Sequence, residues 1–376
     1  MVHRGGASVS NCRHPRGRAS AIGRVSGVAR YPYASNDLRA KESTVAVVEA
    51  EISGSVGHIV LNRPEALNSL NGAMIDGIRA ALDSWREDPA VASVLVTSSS
   101  PRAFCAGGDI KAIRQAVVDG DHDAGPRYFA AEYDLDELIA NYPKPYIAVI
   151  EASAFGGGLG ISIHGSIRVV TENAVLAMPE TAIGFVPDVG SSYFLSRLPG
   201  CVGRYLALTG TRITGEDALA LGLATHFCPS EAVDELKADI LAGTDVQEAL
   251  NRHTTAPSTT ELSFDAEAVA AVFDNESLVD IIDALDCDTP WSRSTKAQLA
   301  TLSPTALMAT DALIARGEQS TLRECLDREL RMATWIITEP DFAEGVRAVL
   351  VDKDRAPQWK PLVLEMVRPE AFQQLL

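Results

Sequence analysis

Tyr146-Ile147-Ala148-Val149-Ile150 is followed, after Glu151-Ala152-Ser153, by Ala154-Phe155-Gly156-Gly157-Gly158-Leu159-Gly160. A short apolar run bounded by turn residues fits a fully buried strand. The glycine cluster then fits a turn, with a helix starting at Gly157. The same order occurs upstream, where Ser93–Ser98 precedes Phe104-Cys105-Ala106-Gly107-Gly108-Asp109-Ile110-Lys111. Strand, glycine turn and helix in repeated succession imply an α/β protein, a sheet covered by helices. Glycine lets the backbone approach a ligand closely, and N–H groups at a helix start point outward without internal partners. Two such N–H groups converging on one point would form an oxyanion hole. The plain alternative is a pair of tight turns that use glycine only for positive φ.

Further along lies Met178-Pro179-Glu180-Thr181-Ala182-Ile183-Gly184-Phe185-Val186-Pro187-Asp188-Val189-Gly190. Two acids, Glu180 and Asp188, stand among Ile183, Phe185 and Val186. A solvated loop would surround them with polar groups. Apolar neighbours imply a poorly hydrated pocket, where desolvation raises carboxyl pKa values and suits them to acid, base or nucleophile roles. The competing picture is an exposed Glu180 with Asp188 capping a turn.

Gly107-Gly108-Asp109, Gly156-Gly157-Gly158 and Pro179-Glu180, in that order and spacing, resemble the crotonase (enoyl-CoA hydratase/isomerase) superfamily from about Val45 to about Pro229. His164-Gly165, Ala177–Gly184 and Pro187–Gly190 are similar to its 3-hydroxyisobutyryl-CoA hydrolase branch. So are Asp341–Leu350, Asp352-Lys353-Asp354 and Pro357-Gln358-Trp359-Lys360-Pro361. The resemblance therefore covers all but the N-terminal tail. It implies a crotonase-like spiral of ββα units with a helical C-terminal region. Hydratases of this superfamily place a glutamate three residues after the middle glycine of the triplet, where this chain has Gly160. They keep a second glutamate, matched here by Glu180, and have glycine where this chain has Asp188.

An acyl-CoA thioester hydrolase is what this pattern implies. Attack on a thioester carbonyl puts negative charge on oxygen, and the backbone N–H groups of Gly108 and Gly157 are the expected donors that stabilise it. Glu180 would activate water, or attack the carbonyl to give a mixed anhydride that water opens. By resemblance, Asp188 contacts the substrate hydroxyl or the reacting water, and Glu132 lines the acyl pocket. Read from its neighbours Asp134, Asp136 and Glu137, Glu132 could equally be a helix-surface acid. Thiolates are good leaving groups, so neither metal nor cofactor is expected, and no Cys/His spacing suits a metal. The alternatives are an enoyl-CoA hydratase/isomerase, disfavoured by Gly160, and a catalytically silent acyl-CoA-binding protein, disfavoured by Glu180 and Asp188.

Composition bounds these expectations. The chain has 376 residues, 46% hydrophobic and 22% charged, which is ordinary for a soluble protein with a sizeable core. No run of about 18 apolar residues is present, so no membrane span is expected. The six cysteines are scattered, as in a reducing compartment. Cys105 lies beside the first glycine turn without a basic neighbour in sequence and is expected to be a packed small residue. Residues 1–36 hold six arginines and no acid, so the remaining 340 residues carry the difference, −23, against a whole-chain formal charge of −17. So acidic a body excludes nucleic acid as a partner. CoA is itself anionic, and Arg63 and Lys111 are the candidate cations for its phosphates. The Arg-rich tail suits either a mitochondrial transit peptide or an upstream extension on a bacterial protein. A cytoplasmic location is the first expectation and the mitochondrial matrix the alternative. Superfamily members often form trimers or hexamers, so a homo-oligomer is left open.

The expected organisation is a tail at 1–43, a catalytic core at 44–230, and a helical insertion and C-terminal helical region at 231–376 that complete the same domain. Within it, Val45–Glu51 and Val56–Leu61 read as a hairpin. Met74–Trp85, a stretch near 127–140, 203–222 in two parts (Arg204–Leu208, then Glu216–Leu221), Ser303–Arg316 and Thr321–Ile337 read as helices.

Overall fold

The computed structural model describes residues 46–259 and 261–376. The tail expected at 1–43 lies outside them. The chain opens with an antiparallel hairpin, β1 (Val48–Ser53) and β2 (Val56–Leu61), in which Val48 faces Leu61. Its turn carries Gly54 at φ +59°, and β1 begins three residues later than the alternation suggested.

From there strands alternate between two sheets. β3 (Ser93–Ser98), β5 (Tyr146–Ile150) and β7 (Ile167–Val170) join the hairpin and β10 (His226–Phe227) in a six-stranded sheet ordered β1-β2-β3-β5-β7-β10. β4 (Ala103–Cys105), β6 (Ser153–Phe155), β8 (Val175–Ala177) and β9 (Ile213–Thr214) form a four-stranded sheet in that order. β3, β5 and β7 are mutually parallel, and so are β4, β6 and β8. Each turn of the chain thus lays one strand in the large sheet and one in the small sheet. Helices follow two of these turns, α2 (Ile110–Val118) with α3 (Ala124–Ala140) and then α4 (Gly157–Ile163). This is the expected spiral of ββα units.

The centre of the large sheet is covered on both faces, where β3 and β5 are buried, largely apolar runs. Side chains alternate across it. Val94, Val96, Tyr146, Ala148 and Ile150 enter the main core with α1 (Gly72–Trp85) and α3. Leu95, Ile147 and Val149 enter a second core closed by Val233, Leu236, Ile240 and Leu250. Burying one such side chain is worth about 1.5–3 kcal/mol. On α1, Ile75, Ile78, Leu82 and Trp85 are buried as one stripe, and the Asn71 side chain caps the helix by accepting from the Met74 amide.

The expected 203–222 region forms two helices, Val202–Thr209 and Gly215–Ala220, over the two stretches read from the sequence, with Gly210 (φ +64°) ending the first. The helices Pro304–Gly317 and Leu322–Ile336 form as expected, with Ser303 and Thr321 as their side-chain caps. They pack against the glycine-flanked segments of the core. A Cβ at Gly317 would lie 1.6 Å from the Ser192 carbonyl oxygen, so that helix touches the core backbone to backbone. Gly317→Ala is therefore expected to lose at least the 1–3 kcal/mol typical of overpacking, read as a lower midpoint in urea unfolding with an unchanged slope.

Candidate active site

β4 runs into Gly107 at φ +103°, and β6 into Gly156 at φ +47°, both conformations that residues with a Cβ rarely adopt. The first turn is pinned by the loop before α1. Leu70 N–H donates to the Gly107 carbonyl (2.8 Å) and Asp109 N–H to the Leu70 carbonyl (2.7 Å). Ser69 Oγ–H donates to the Gly108 carbonyl (3.0 Å). Arg63 Nη1 reaches both Asp109 Oδ2 (2.8 Å) and the Ser69 carbonyl (2.9 Å). Arg63, a candidate for the CoA phosphates, thus has its guanidinium engaged within the protein, bracing this turn. Lys111 is exposed at the start of α2.

The second turn lies against the first. A Cβ at Gly157 would be 3.3 Å from the Gly108 amide nitrogen, and one at Gly107 would be 3.9 Å from the Gly157 nitrogen. Neither the Gly108 nor the Gly157 N–H donates to any group among the described residues. Two carboxyl groups arrive at the same place. Glu180 Oε1 lies 2.5 Å from where a Gly156 Cβ would sit, and Glu132 Oε1 lies 2.3 Å from where a Gly157 Cβ would sit. Glu180 is 8% exposed and begins a 3₁₀ turn after β8, beyond Met178 and Pro179; its Oε2 has no hydrogen-bond partner among the described residues. Glu132 is 2% exposed, midway along α3, so it is not a helix-surface acid. Asp188 is buried too, and Tyr133 Oη–H donates to its Oδ2 (2.6 Å). All five residues singled out in the sequence therefore gather around one pair of turns.

A sequence profile described as enoyl-CoA hydratase/isomerase matches residues 56–376. The chain belongs to the enoyl-CoA hydratase/isomerase family. Among its relatives is a protein named 3-hydroxyisobutyryl-CoA hydrolase, mitochondrial, from Xenopus tropicalis, 41% identical over 326 residues and covering 84% of each chain. The protein of the same name from Homo sapiens is 39% identical over 346 residues, covering 89% of each. A solved structure titled as a carnitinyl-CoA dehydratase from Mycobacterium thermoresistibile is 36% identical. It superposes with a TM-score of 0.83 over 88% of this chain and 96% of that one. The fold is the crotonase fold.

In this member of the family the electrostatics of the site are set by burial. Glu132, Asp136, Glu180, Asp188 and Glu329 are buried near one another, and none has an ion-pair partner among the described residues. Burial raises the Glu180 and Glu132 carboxyls well above the usual carboxylate range, and the nearby Asp188 charge adds to both shifts. Burial also pushes Asp188 up to about 7, against the lowering effect of the Tyr133 hydrogen bond. Such a group stays partly protonated near neutral pH, and the cluster shares protons rather than ionising fully. Cys105, also buried, has its thiol pushed up to about 12 by desolvation, which rules it out as a nucleophile near neutral pH.

Three of these residues were not singled out from sequence. Tyr133 and Asp136 share α3 with Glu132, and an acid one helical turn from Glu132 could have been noticed. Glu329 is 137 residues beyond Ser192, whose amide it holds, and nothing local marks it. Asp136 has no hydrogen bond to either carboxyl oxygen among the described residues, and it faces Gly160, where a Cβ would lie 2.8 Å from its Oδ1. Burial raises its pKa well above the usual range, the acids Glu132, Asp188 and Glu329 raise it further, and Arg79 opposes them. Above about pH 4, the ordinary carboxyl value, the folded state thus holds a proton that the unfolded chain releases, so stability falls as pH rises. Asp136→Asn removes that linkage. Its melting temperature should exceed wild type most at pH 8, with the gap closing toward pH 4 in scanning calorimetry. A gap that does not depend on pH would count against a protonated Asp136.

Proposed function

We propose that the protein is an acyl-CoA thioester hydrolase that converts 3-hydroxyisobutyryl-CoA and water to 3-hydroxyisobutyrate and CoA, a step of valine breakdown. The observation that carries it is Glu180, a buried carboxyl with one oxygen unpartnered, beside two backbone amides that donate to nothing else among the described residues. The names of the relatives at about 40% identity support the substrate.

The substrate carbonyl oxygen lies toward the N–H groups of Gly108 and Gly157. As water adds, the carbonyl becomes a tetrahedral oxyanion, and each amide strengthens its hydrogen bond to it. Loss of one such donor in comparable sites costs about 3–4 kcal/mol. Glu180, as carboxylate, takes the proton of the attacking water, or forms a mixed anhydride that water then opens. Collapse breaks the C–S bond and releases CoA as a thiolate that takes up a proton. Asp188, oriented by Tyr133, bonds the 3-hydroxyl or the reacting water, and Glu132 closes the acyl side of the pocket. The raised carboxyl pKa of Glu180 makes it a stronger base than an exposed glutamate.

Hydration across a double bond is less well supported. Position 160 is glycine, and Asp136 and Val189 both lie 2.8 Å from where its Cβ would be, so a longer side chain there would have to displace them. For the compartment, both relatives reported above carry "mitochondrial" in their names, which favours the matrix and leaves the cytoplasmic expectation without support. Residues 1–36, on which the transit-peptide alternative rests, lie outside the described residues.

The test is free-thiol release from 3-hydroxyisobutyryl-CoA by the purified protein. Wild type should release CoA with turnover. Glu180→Gln should be slower by about 10²-fold or more, as loss of a general base or nucleophile requires. Hydration of crotonyl-CoA with no thiol release would return the chain to the hydratase reading. Silence in both assays would leave acyl-CoA binding alone.

A further inference from the structure

Asp188 is followed by a turn of unusual backbone. Val189 adopts φ +54°, a left-handed conformation that its branched Cβ resists, and Gly190 follows at φ +81°. Strain of this kind persists only where the surroundings over-determine it. Here two side chains from distant parts of the chain do so. His164 Nε2–H donates to the Val189 carbonyl (2.8 Å), and burial holds the imidazole neutral by lowering its pKa to about 4. Glu329, fully buried on the helix Leu322–Ile336, accepts from Gly190 N–H (2.6 Å), Ser192 N–H (2.8 Å) and Ser192 Oγ–H. Asp188 has one hydrogen bond of its own to another side chain, from Tyr133, so its direction depends on the turn that carries it.

We infer that Glu329 is a positioning residue for Asp188: its carboxyl group clamps the Gly190–Ser192 backbone, holds Val189 in the left-handed region, and so fixes the Asp188 carboxyl in the site. This rests on Asp188 taking part in the proposed hydrolysis. Glu329 itself does not touch the reacting atoms. Glu329→Gln is the informative change, because it keeps size and replaces one accepting oxygen with an NH₂ group. That group would confront the Gly190 or the Ser192 N–H, donor against donor.

The experiment measures kcat and KM for CoA release by the full chain as wild type, Glu329→Gln and the double variant Glu329→Gln with Val189→Gly. It adds hydrogen exchange of the peptide covering 188–194 without substrate. Glu329→Gln should lower kcat on the order of tenfold or more while KM stays within about threefold, and should speed exchange in that peptide. Val189→Gly should then restore part of the lost kcat, because glycine keeps positive φ without the clamp. A merely structural Glu329 would give no such rescue. The inference is overturned if Glu329→Gln keeps wild-type kcat, if exchange at 188–194 is unchanged, or if Val189→Gly only worsens the loss. Should Glu329→Gln fail to fold, Ser192→Ala removes a single contact to the same carboxyl and must shift kcat and exchange in the same direction, or the clamp is refuted. If wild type releases no CoA, the proposed hydrolysis fails, while the exchange measurement still decides whether Glu329 holds the turn.

Discussion

A methyl group on Gly156 or Gly157 would strike a carboxyl oxygen at 2.5 or 2.3 Å, far inside any real carbon–oxygen contact. The backbone of one turn and the two acids are therefore a single steric arrangement, and neither can be altered without moving the other. Gly158 extends it inward, since a Cβ there would lie 2.4 Å from the Cys105 carbonyl oxygen, where β4 enters the facing turn. Parallel pairing of β4 with β6 brings the two turns side by side in the first place. The three-residue strands of the small sheet matter for this reason more than for their few hydrogen bonds.

Burying five carboxyl groups in one region is unfavourable unless each is neutralised or hydrogen-bonded. The structure meets that condition unevenly. Glu329 accepts three donors and Asp188 one from a side chain, whereas Asp136 and one oxygen of Glu180 have none among the described residues. Phe129 and Phe185 stack at 5.2 Å and Phe342 lies 5.9 Å from Phe185, all three buried in the same core. Charge is then limited by proton sharing. A site with few charges to reorganise can hold a carboxylate at high basicity where the chemistry needs one, and it carries the penalty as reduced stability at higher pH.

Periodicity made the large sheet and the long helices legible. Tyr146–Ile150 and Ser93–Ser98 are apolar runs of strand length, and the α1 stripe repeats every three to four residues. β4, β6 and β8 escaped it because three residues cannot show an alternation. Of the site, Gly108, Gly157, Glu180 and Asp188 were visible because glycine turns and acids in apolar company are locally unusual. Glu132 was reached only through resemblance, since its neighbours Asp134 and Glu137 face outward and disguise it. The two helices within 203–222 were legible as separate stretches, and Gly210 between them ends the first. Tyr133 and Glu329 were out of reach, because their roles depend on contacts 55 and 137 or more residues away.

Those long contacts explain why the C-terminal motifs accompany the loop motifs in one chain. The Glu180 loop is held from behind by the segment after Pro340. A Cβ at Gly184 would lie 2.3 Å from the Asp341 carbonyl oxygen, and one at Gly345 would lie 2.4 Å from the Ile183 carbonyl carbon. Ser303 joins the two, its N–H donating to the Thr181 carbonyl (3.3 Å) and its hydroxyl to Asp341 (2.6 Å), while Asp341 also accepts the Lys360 N–H (2.6 Å). The Asp188 turn is held separately, by Glu329 on the helix Leu322–Ile336 and by His164. The Glu180 loop thus rests on backbone contact and the Asp188 turn on buried side chains, and each has a support from beyond residue 300. Each loop also has local backbone hydrogen bonds, Phe185 N–H to the Glu180 carbonyl (3.1 Å) and Ser191 N–H to the Asp188 carbonyl (2.8 Å), to which the C-terminal contacts add. The spiral core brings the candidate site residues together, and C-terminal segments pack against the two loops that carry Glu180 and Asp188.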